Sequence, residues 1–337
     1  MQFNKTVLVA GLIALTGVAA SAQVTVYGII DLKLARATGS LTSLTKVDSG
    51  GLNGSRLGFR GSEDLGGGNS AKFVLEADMN NDTGAVGAGA KFFSRMSYVS
   101  LAGPLGDVRL GRDYTPTFII HAIYDPFGAC CTAVTRTLVN SLEFGRGSNV
   151  RADNSISINS APAASGLRWQ AMASVGEGVN NQKYTGARIG YAMGPYAVDV
   201  ATAKYTDSTI GDLKVFNAGA SFKMGELTFS GVVDFAKSGT AGKSDGYQLA
   251  LTYLYNVTEF RASYSQVVRK NAAGVKTSTV SLSPGLGVTY NLSKRTGLYA
   301  TYARLTNGDG ASSALNGATT AVNKNSTAYD LGIRHSF

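Results

Sequence analysis

The chain has 337 residues and a formal net charge of +9, with 42 glycines, 16 tyrosines and 14 phenylalanines but only six prolines. Two cysteines are too few for a disulfide scaffold, and two histidines provide no cluster of metal ligands, so the sequence predicts neither a metal nor a cofactor. No segment after residue 22 contains about 18 consecutive apolar residues, which excludes a transmembrane helix there.

The first 22 residues have the pattern of a secretory signal. Lys5 precedes an apolar run over residues 7–20, and the segment ends at Ala22 with the small residues Ala-Ser-Ala. A membrane anchor is the alternative, but it requires about 20 apolar residues, and the small residues favour cleavage. We predict a cleaved signal peptide over 1–22 and a single domain over 23–337. Removal of Lys5 lowers the formal net charge from +9 to +8.

Apolar and polar residues alternate in short segments along the rest of the chain. Segments of about ten alternating residues are typical of outer-membrane barrels, whose side chains face lipid and lumen in turn. The sequence therefore predicts an all-β fold, a 16-stranded antiparallel transmembrane β-barrel with both chain ends on one side. The predicted strands cover residues 24–32, 55–61, 71–79, 91–101, 108–112, 153–160, 167–175, 184–193, 196–205, 214–224, 226–235, 246–255, 258–268, 278–290, 296–305 and 327–337.

The connections between these strands alternate in length. Short links at 194–195, 225, 256–257 and 292–295 alternate with longer polar ones at 38–53, 176–183 and 307–326. Short turns on one side and long loops on the other are a further feature of outer-membrane barrels.

Charged residues in two predicted strands indicate which face lines the lumen. Arg56 alternates with Leu57, and Glu76 and Asp78 alternate with Leu75. Charged side chains are costly on a lipid-facing surface, so these three are expected to face the lumen. A polar lumen within about sixteen strands predicts an aqueous channel.

Residues 114–150 form the longest stretch without strand alternation. About 37 irregular residues within a compact domain are unusual and indicate a functional or a disordered loop. The many apolar residues of this segment argue against disorder, so we predict an irregular loop that folds into the lumen and narrows it. Cys130 and Cys131 are adjacent in this loop, and both a vicinal disulfide and two free thiols remain possible.

Four motifs carry a family resemblance. They lie at residues 55–66 (SRLGFRGSEDLG), 108–112 (VRLGR), 291–296 (NLSKRT) and 332–337 (GIRHSF). With these motifs the chain resembles the general diffusion porins of Gram-negative outer membranes, most closely those of beta-proteobacteria, over essentially all of 23–337. The resemblance implies homotrimers of 16-stranded barrels with the third loop folded inside the lumen.

The resemblance also implies a pore constriction in which an arginine cluster faces acidic residues of the third loop. The residues at the matching positions are Arg56, Arg95 and Arg151 for the cluster, Asp125 and Glu143 for the loop, and Glu76 for a wall carboxylate. Packing within the loop is the alternative role for the two loop carboxylates. The terminal aromatic residue, Phe337, is implied to be the signal read by the barrel-assembly machinery.

The predicted function is passive diffusion of small hydrophilic solutes and ions across the outer membrane, with a preference for anions because arginine rings favour them. A substrate-specific channel for small organic or inorganic anions remains the alternative. The only histidines, His121 and His335, lie in no recognisable triad setting, which argues against a hydrolase. The predicted partners are outer-membrane lipid and lipopolysaccharide, the assembly machinery, solutes and anions; the signal and the alternation argue against nucleic acid.

Overall fold

The computed structural model describes residues 23–87, 91–128, 130–134, 150–162, 165–178, 183–206 and 211–337. The predicted signal peptide and Glu143 lie outside these residues. The described strands are β1 Thr25–Thr38, β2 Ser43–Ser49, β3 Arg56–Gly66, β4 Asn69–Asn80, β5 Ala85–Val86, β6 Met96–Gly103, β7 Gly106–Tyr114, β8 Arg151–Ser160, β9 Gly166–Val175, β10 Lys183–Met193, β11 Tyr196–Tyr205, β12 Leu213–Met224, β13 Leu227–Ser238, β14 Gly242–Tyr255, β15 Thr258–Lys270, β16 Lys276–Asn291, β17 Thr296–Gly308 and β18 Ser326–Ser336. Among the described residues one α-helix, α1, spans Pro116–Tyr124, and a single 3-10 turn spans Gly176–Gly178.

The strands form one closed antiparallel sheet. Each wall strand pairs with its neighbour along the chain, and β1 pairs with β18 to close the barrel. β2 and β3 both lie against β1 and form two parts of one wall strand, whereas the two-residue β5 pairs antiparallel with the last two residues of β4 alone. Counting β2 and β3 once and leaving out β5 reduces the 18 described strands to 16. The predicted 16-stranded barrel is therefore confirmed.

The two ends of the barrel differ in their connections. Tight turns join β10 to β11, β12 to β13 and β14 to β15, and we call this side the short-turn end. The prediction of one loop over 38–53 is wrong, because β2 forms there and pairs with an extension of β1. The polar side chains of this segment make its sequence resemble a loop. Its backbone nevertheless forms a strand, because it pairs with β1.

One face of the sheet is apolar and the other is polar. Exposed apolar side chains such as Val99, Leu101 and Leu249 lie on the outer face, which fits a hydrocarbon surround. Polar side chains such as Asn217 and Asp234 alternate with them and line the interior. No helix within the described ranges is both long and apolar enough to cross a membrane.

Helix α1 corrects the prediction that the whole of 114–150 is irregular. Thr115 caps the helix by accepting a hydrogen bond from the Phe118 amide at 3.3 Å, and Pro116 occupies the first turn. Both residues are standard start signals for a helix. The helix packs on the polar face of the wall, where His121 Nε2 lies 2.9 Å from Asp234 Oδ2.

The chain after α1 continues along the same polar face. Arg261 Nη1 on β15 donates to the carbonyl oxygen of Pro126 at 3.2 Å. Further on, Thr132 Oγ1 accepts from Lys33 Nζ on β1 at 3.4 Å and from Asn316 Nδ2 at 2.8 Å.

Cys130 and Cys131 form a vicinal disulfide in this segment. Of the two states left open by the sequence, the structure therefore shows the bridged one.

The seam between β1 and the C-terminus yields a testable prediction. Phe337 exchanges two backbone hydrogen bonds with Gly28, at 3.1 and 3.2 Å, and a methyl group on Gly28 would lie 2.4 Å from Phe337 Cζ and 2.6 Å from the Arg56 carbonyl oxygen. We expect Gly28→Ala to destabilise the barrel by about 1–3 kcal/mol, as overpacking does. The folded fraction after refolding in detergent, read from heat-modifiable gel migration, should fall.

Gly308→Ala is the matched control, since the nearest heavy atom to its added methyl group lies at 3.9 Å. Equal folded fractions for the two variants would show that the Gly28 seam tolerates a side chain.

Candidate functional site

Three arginines meet on the polar face of the wall. Arg56 begins β3, Arg151 begins β8, and Arg95 lies one residue before β6. The sequence placed Arg95 inside a strand, so that boundary was wrong, although the Arg95 amide still donates to the Glu76 carbonyl at 3.0 Å. The structure therefore brings together three residues that are far apart in the sequence, and we call them the arginine cluster.

Glu76 lies at the centre of this cluster. Its Oε1 lies 2.7 Å from Arg95 Nε and 3.8 Å from Arg56 Nη1, and its Oε2 accepts from the Tyr27 hydroxyl at 3.1 Å. Glu76 is 1% exposed, and a buried carboxylate needs such charged and hydrogen-bonded partners. One wall carboxylate thus holds two of the guanidinium groups.

Tyr114 connects the third arginine to the other two. Its hydroxyl accepts from Arg95 Nη2 at 2.9 Å and from Arg151 Nη2 at 3.1 Å, and the Arg151 guanidinium lies 4.7 Å from the centre of its ring. This cation–π contact stabilises a positive charge without a carboxylate. The role of Tyr114 was not predicted from the sequence, in which its position at the end of β7 was the only signal.

The charges of the cluster do not cancel. Asp78 adds a second carboxylate, with Oδ1 3.3 Å from Arg95 Nη1. Three guanidinium groups therefore face Glu76 and Asp78, which leaves one formal positive charge. The side chains of Arg56 and Arg95 are 21% and 12% exposed, so they retain contact with the lumen. The net positive charge of the arrangement can attract an anion there.

An inward bulge between β2 and β3 supports Arg56. The buried Asp31 carboxylate accepts from the amides of Gly51, Leu52 and Asn53 at 2.7–2.9 Å. This holds the bulge in place, and Arg56 Nε then donates to the Gly54 carbonyl oxygen at 3.1 Å. The bulge was not predicted from the sequence, although its glycines could have indicated it.

The two predicted loop carboxylates are not brought to the cluster by any contact that the structure describes. Asp125 is 4% exposed at the end of α1, and its Oδ1 accepts from the Phe127 amide at 2.9 Å. Its surroundings agree with the alternative, packing within the loop, and it lies near Arg261 on β15. Glu143 lies outside the described residues.

The wall contacted by α1 carries a second set of paired charges. Asp199 accepts from Arg188 Nη1 at 2.6 Å and from the Tyr124 hydroxyl at 2.6 Å, and Arg168 also binds this carboxylate. Burial and the hydrogen bond to Asp199 raise the pKa of Tyr124, so the phenol stays protonated. Within the described ranges, no group of three potential metal ligands is present.

Comparison with known proteins agrees with this geometry. A model of the Gram-negative porin family matches residues 6–310. Outer membrane porin protein 32 of Delftia acidovorans is 31% identical over 358 aligned residues, which cover 99% of this chain and 100% of that protein. An outer membrane porin protein of Bordetella pertussis is 35% identical over 144 residues, 37% of each chain.

Solved structures show the same architecture. The anion-selective porin from Comamonas acidovorans superposes with a TM-score of 0.84 at 30% identity, over 94% of this chain and 100% of that one. The trimer form of OmpT from Vibrio cholerae reaches a TM-score of 0.71 at 16% identity over 94% and 99% of the chains, which shows likeness of fold alone. By full-length sequence similarity and by fold, this chain belongs to the Gram-negative porin family.

Proposed function

We propose that the channel of this outer-membrane porin passes small hydrophilic solutes and prefers anions. The observation that carries this proposal is the arginine cluster, in which three guanidinium groups on the polar face are opposed by Glu76 and Asp78. Fixed positive charge beside a narrow aqueous path raises the local concentration of anions.

The position of the charge decides its effect on selectivity. Mobile ions screen charges beyond a Debye length of about 8 Å in physiological salt, so charges on outer loops act weakly on an ion inside the channel. Arg56 and Arg151 belong to the wall itself, and a passing ion comes much closer to them than to the outer loops. The relative from Comamonas acidovorans is an anion-selective porin, which supports the same direction.

The segment after β7 is proposed to narrow the lumen. Its described part packs on the polar face of the wall from α1 to Thr132, which supports a position inside the barrel. We propose that Glu143 contributes an acidic edge opposite the arginine cluster, whereas the burial of Asp125 favours a packing role for that residue.

The porin is also proposed to assemble as a homotrimer in the outer membrane. A homotrimer is supported by the trimeric form of the Vibrio cholerae neighbour. We further propose that residues 1–22 are cleaved on export, that lipid and lipopolysaccharide surround the apolar outer face, and that the assembly machinery recognises Phe337.

The alternatives differ in measurable ways. A substrate-specific channel would show saturable flux for one preferred anion, whereas a general pore would show flux proportional to concentration. A hydrolase is not favoured, because His121 is fully buried between Asp234 and Asn217 and cannot reach a solute.

Selectivity should depend on Arg56 and Arg151, whose removal leaves the closest ion pair of Glu76, with Arg95 at 2.7 Å, in place. We expect Arg56→Gln with Arg151→Gln to shift the zero-current potential in a salt gradient toward cations, while Arg95 keeps Glu76 and Asp78 paired. At about 7 Å in water one unit charge attracts a monovalent anion and repels a monovalent cation by roughly 0.6 kcal/mol each, so the anion-to-cation permeability ratio should fall about sevenfold per charge. Planar-bilayer recordings measure this ratio.

The control removes three exposed lysines at the end of the barrel opposite the short turns, Lys183, Lys243 and Lys324, by substitution with glutamine. It should leave the zero-current potential within error of the wild type. An unchanged potential in the arginine variant would show that Arg56 and Arg151 do not set the selectivity.

Deletion of Phe337 should reduce assembly rather than conduction. The deletion removes the terminal aromatic residue and two backbone hydrogen bonds to Gly28. We expect less folded porin in the outer membrane, measured by heat-modifiable migration, with the single-channel conductance of the surviving channels unchanged. Phe337→Tyr, which keeps a terminal aromatic ring, should assemble almost normally. Normal membrane levels of the deletion variant would contradict a signalling role for the residue.

A further inference from the structure

The short-turn end of the lumen contains a second group of cations, apart from the arginine cluster. A recess of about 340 Å³ lies there among β3, β4, β6 and β7, and it is bordered by residues 160–162 at the end of β8. It lies beside the turns that join β3 to β4 and β6 to β7. We call it the mouth recess.

Two cations of the mouth recess have no carboxylate partner within the described ranges. Arg60 and Lys72 are both exposed, and both line the recess. The contact that orients Arg60 is with an aromatic ring, since its guanidinium lies 5.1 Å from the centre of Tyr27. A cation–π contact holds a guanidinium in place and leaves its N–H donors free for a ligand.

Neighbouring charges reduce the positive potential but do not cancel it. Arg109 also lines the recess, and its guanidinium is paired with Asp107 and Asp113, each at 2.8 Å. These three groups leave one formal negative charge. Added to Arg60 and Lys72, they still give a positive total, and the two unpaired cations are the ones exposed to solvent.

The recess also contains a buried hydroxyl without a partner. Ser100, on β6, is 3% exposed, lines the recess, and its Oγ makes no hydrogen bond within the described part of the chain. A buried polar atom without a partner is costly. A hydroxyl beside two free cations can donate to the oxygen of an anion, which would remove this cost.

We propose that the mouth recess is a second anion-binding site, which takes small oxyanions with two or more negative charges, such as phosphate or a dicarboxylate. The proposal rests on the anion preference proposed above and adds a site in series with it. Two separated cations favour a ligand that offers two negative groups or several oxygens. Chloride offers neither and should pass with little retention.

The mouth recess lies on the same wall as the arginine cluster, closer to the short-turn end. Arg56 and Arg60 lie on the same face of β3, four residues apart, which corresponds to about 13 Å along the strand. An oxyanion that leaves the arginine cluster toward the short-turn end thus meets a second group of positive charges before the exit. In an outer-membrane barrel the short turns face the periplasm, so the recess would collect oxyanions on that side.

Block of chloride current by an oxyanion tests the site. In planar bilayers with potassium chloride, inorganic phosphate or succinate is added to one side at a time, and the half-blocking concentration is measured. We expect block by addition at the short-turn side in the wild type. Arg60→Gln with Lys72→Gln should raise the half-blocking concentration about tenfold or more, because charge-assisted hydrogen bonds are lost. Ser100→Ala should cause a smaller increase.

Lys294→Gln with Arg295→Gln is the matched control. It removes one lysine and one arginine from an exposed turn at the same end of the barrel, outside the recess. Block that is retained in this control and lost in the recess variant would support the site. If phosphate and succinate both block, the site binds dianions in general. If only one of them blocks, the site is specific for phosphate or for dicarboxylates, respectively.

Equal half-blocking concentrations in the wild type and the recess variant, or an equal loss in the control, would overturn the proposal. The recess variant keeps Arg56, Arg95 and Arg151, so its zero-current potential should remain on the anion side. If the recess does not bind oxyanions, the anion preference should still be observed. If the wild-type channel shows no anion preference, the proposed function itself is wrong.

Discussion

The ion pair between Glu76 and Arg95 is the interaction on which the candidate constriction depends. Three guanidinium groups on one patch of wall repel one another, and burial makes each charge more costly. Glu76 offsets this by pairing with Arg95 at 2.7 Å and lying 3.8 Å from Arg56. Loss of one partner from a buried pair costs about 3–5 kcal/mol because the remaining charge is left unpaired. The carboxylate therefore positions positive charge without neutralising it.

Other buried carboxylates along the inner wall bind hydrogen-bond donors in the same way. Asp31 accepts three amides of the inward bulge, and Asp234 and Asp199 hold the helix through His121 and Tyr124. In each of these contacts the strand supplies the acid and a non-strand segment supplies the donor, although strand arginines also bind Asp199. The position of the loop segment is thus encoded in alternate residues of the wall as well as in the loop.

The sequence predicted the barrel well because alternation reports directly on the two faces of a strand. Charges at Arg56, Glu76 and Asp78 identified the inner face, and the register then brought Arg56 opposite Asp78 across β3 and β4. Segments that do not alternate were predicted poorly. β2 was missed because its polar residues resemble a loop, and α1 was missed although Thr115 and Pro116 mark its start.

The contacts of the candidate site were less predictable than its members, because they depend on which residues meet across long distances in the chain. Arg95, Tyr114 and Arg151 belong to different segments, and only the closed sheet places the Tyr114 hydroxyl between two guanidinium groups. Asp125 shows the opposite case, in which an acidic residue that matches a motif is buried in the packing of its own loop. Residue type and motif thus identify the charged residues of the wall, because the strand fixes the face of the sheet to which each side chain points. They do not fix the direction of a loop carboxylate, which is decided by the packing of the loop against the wall.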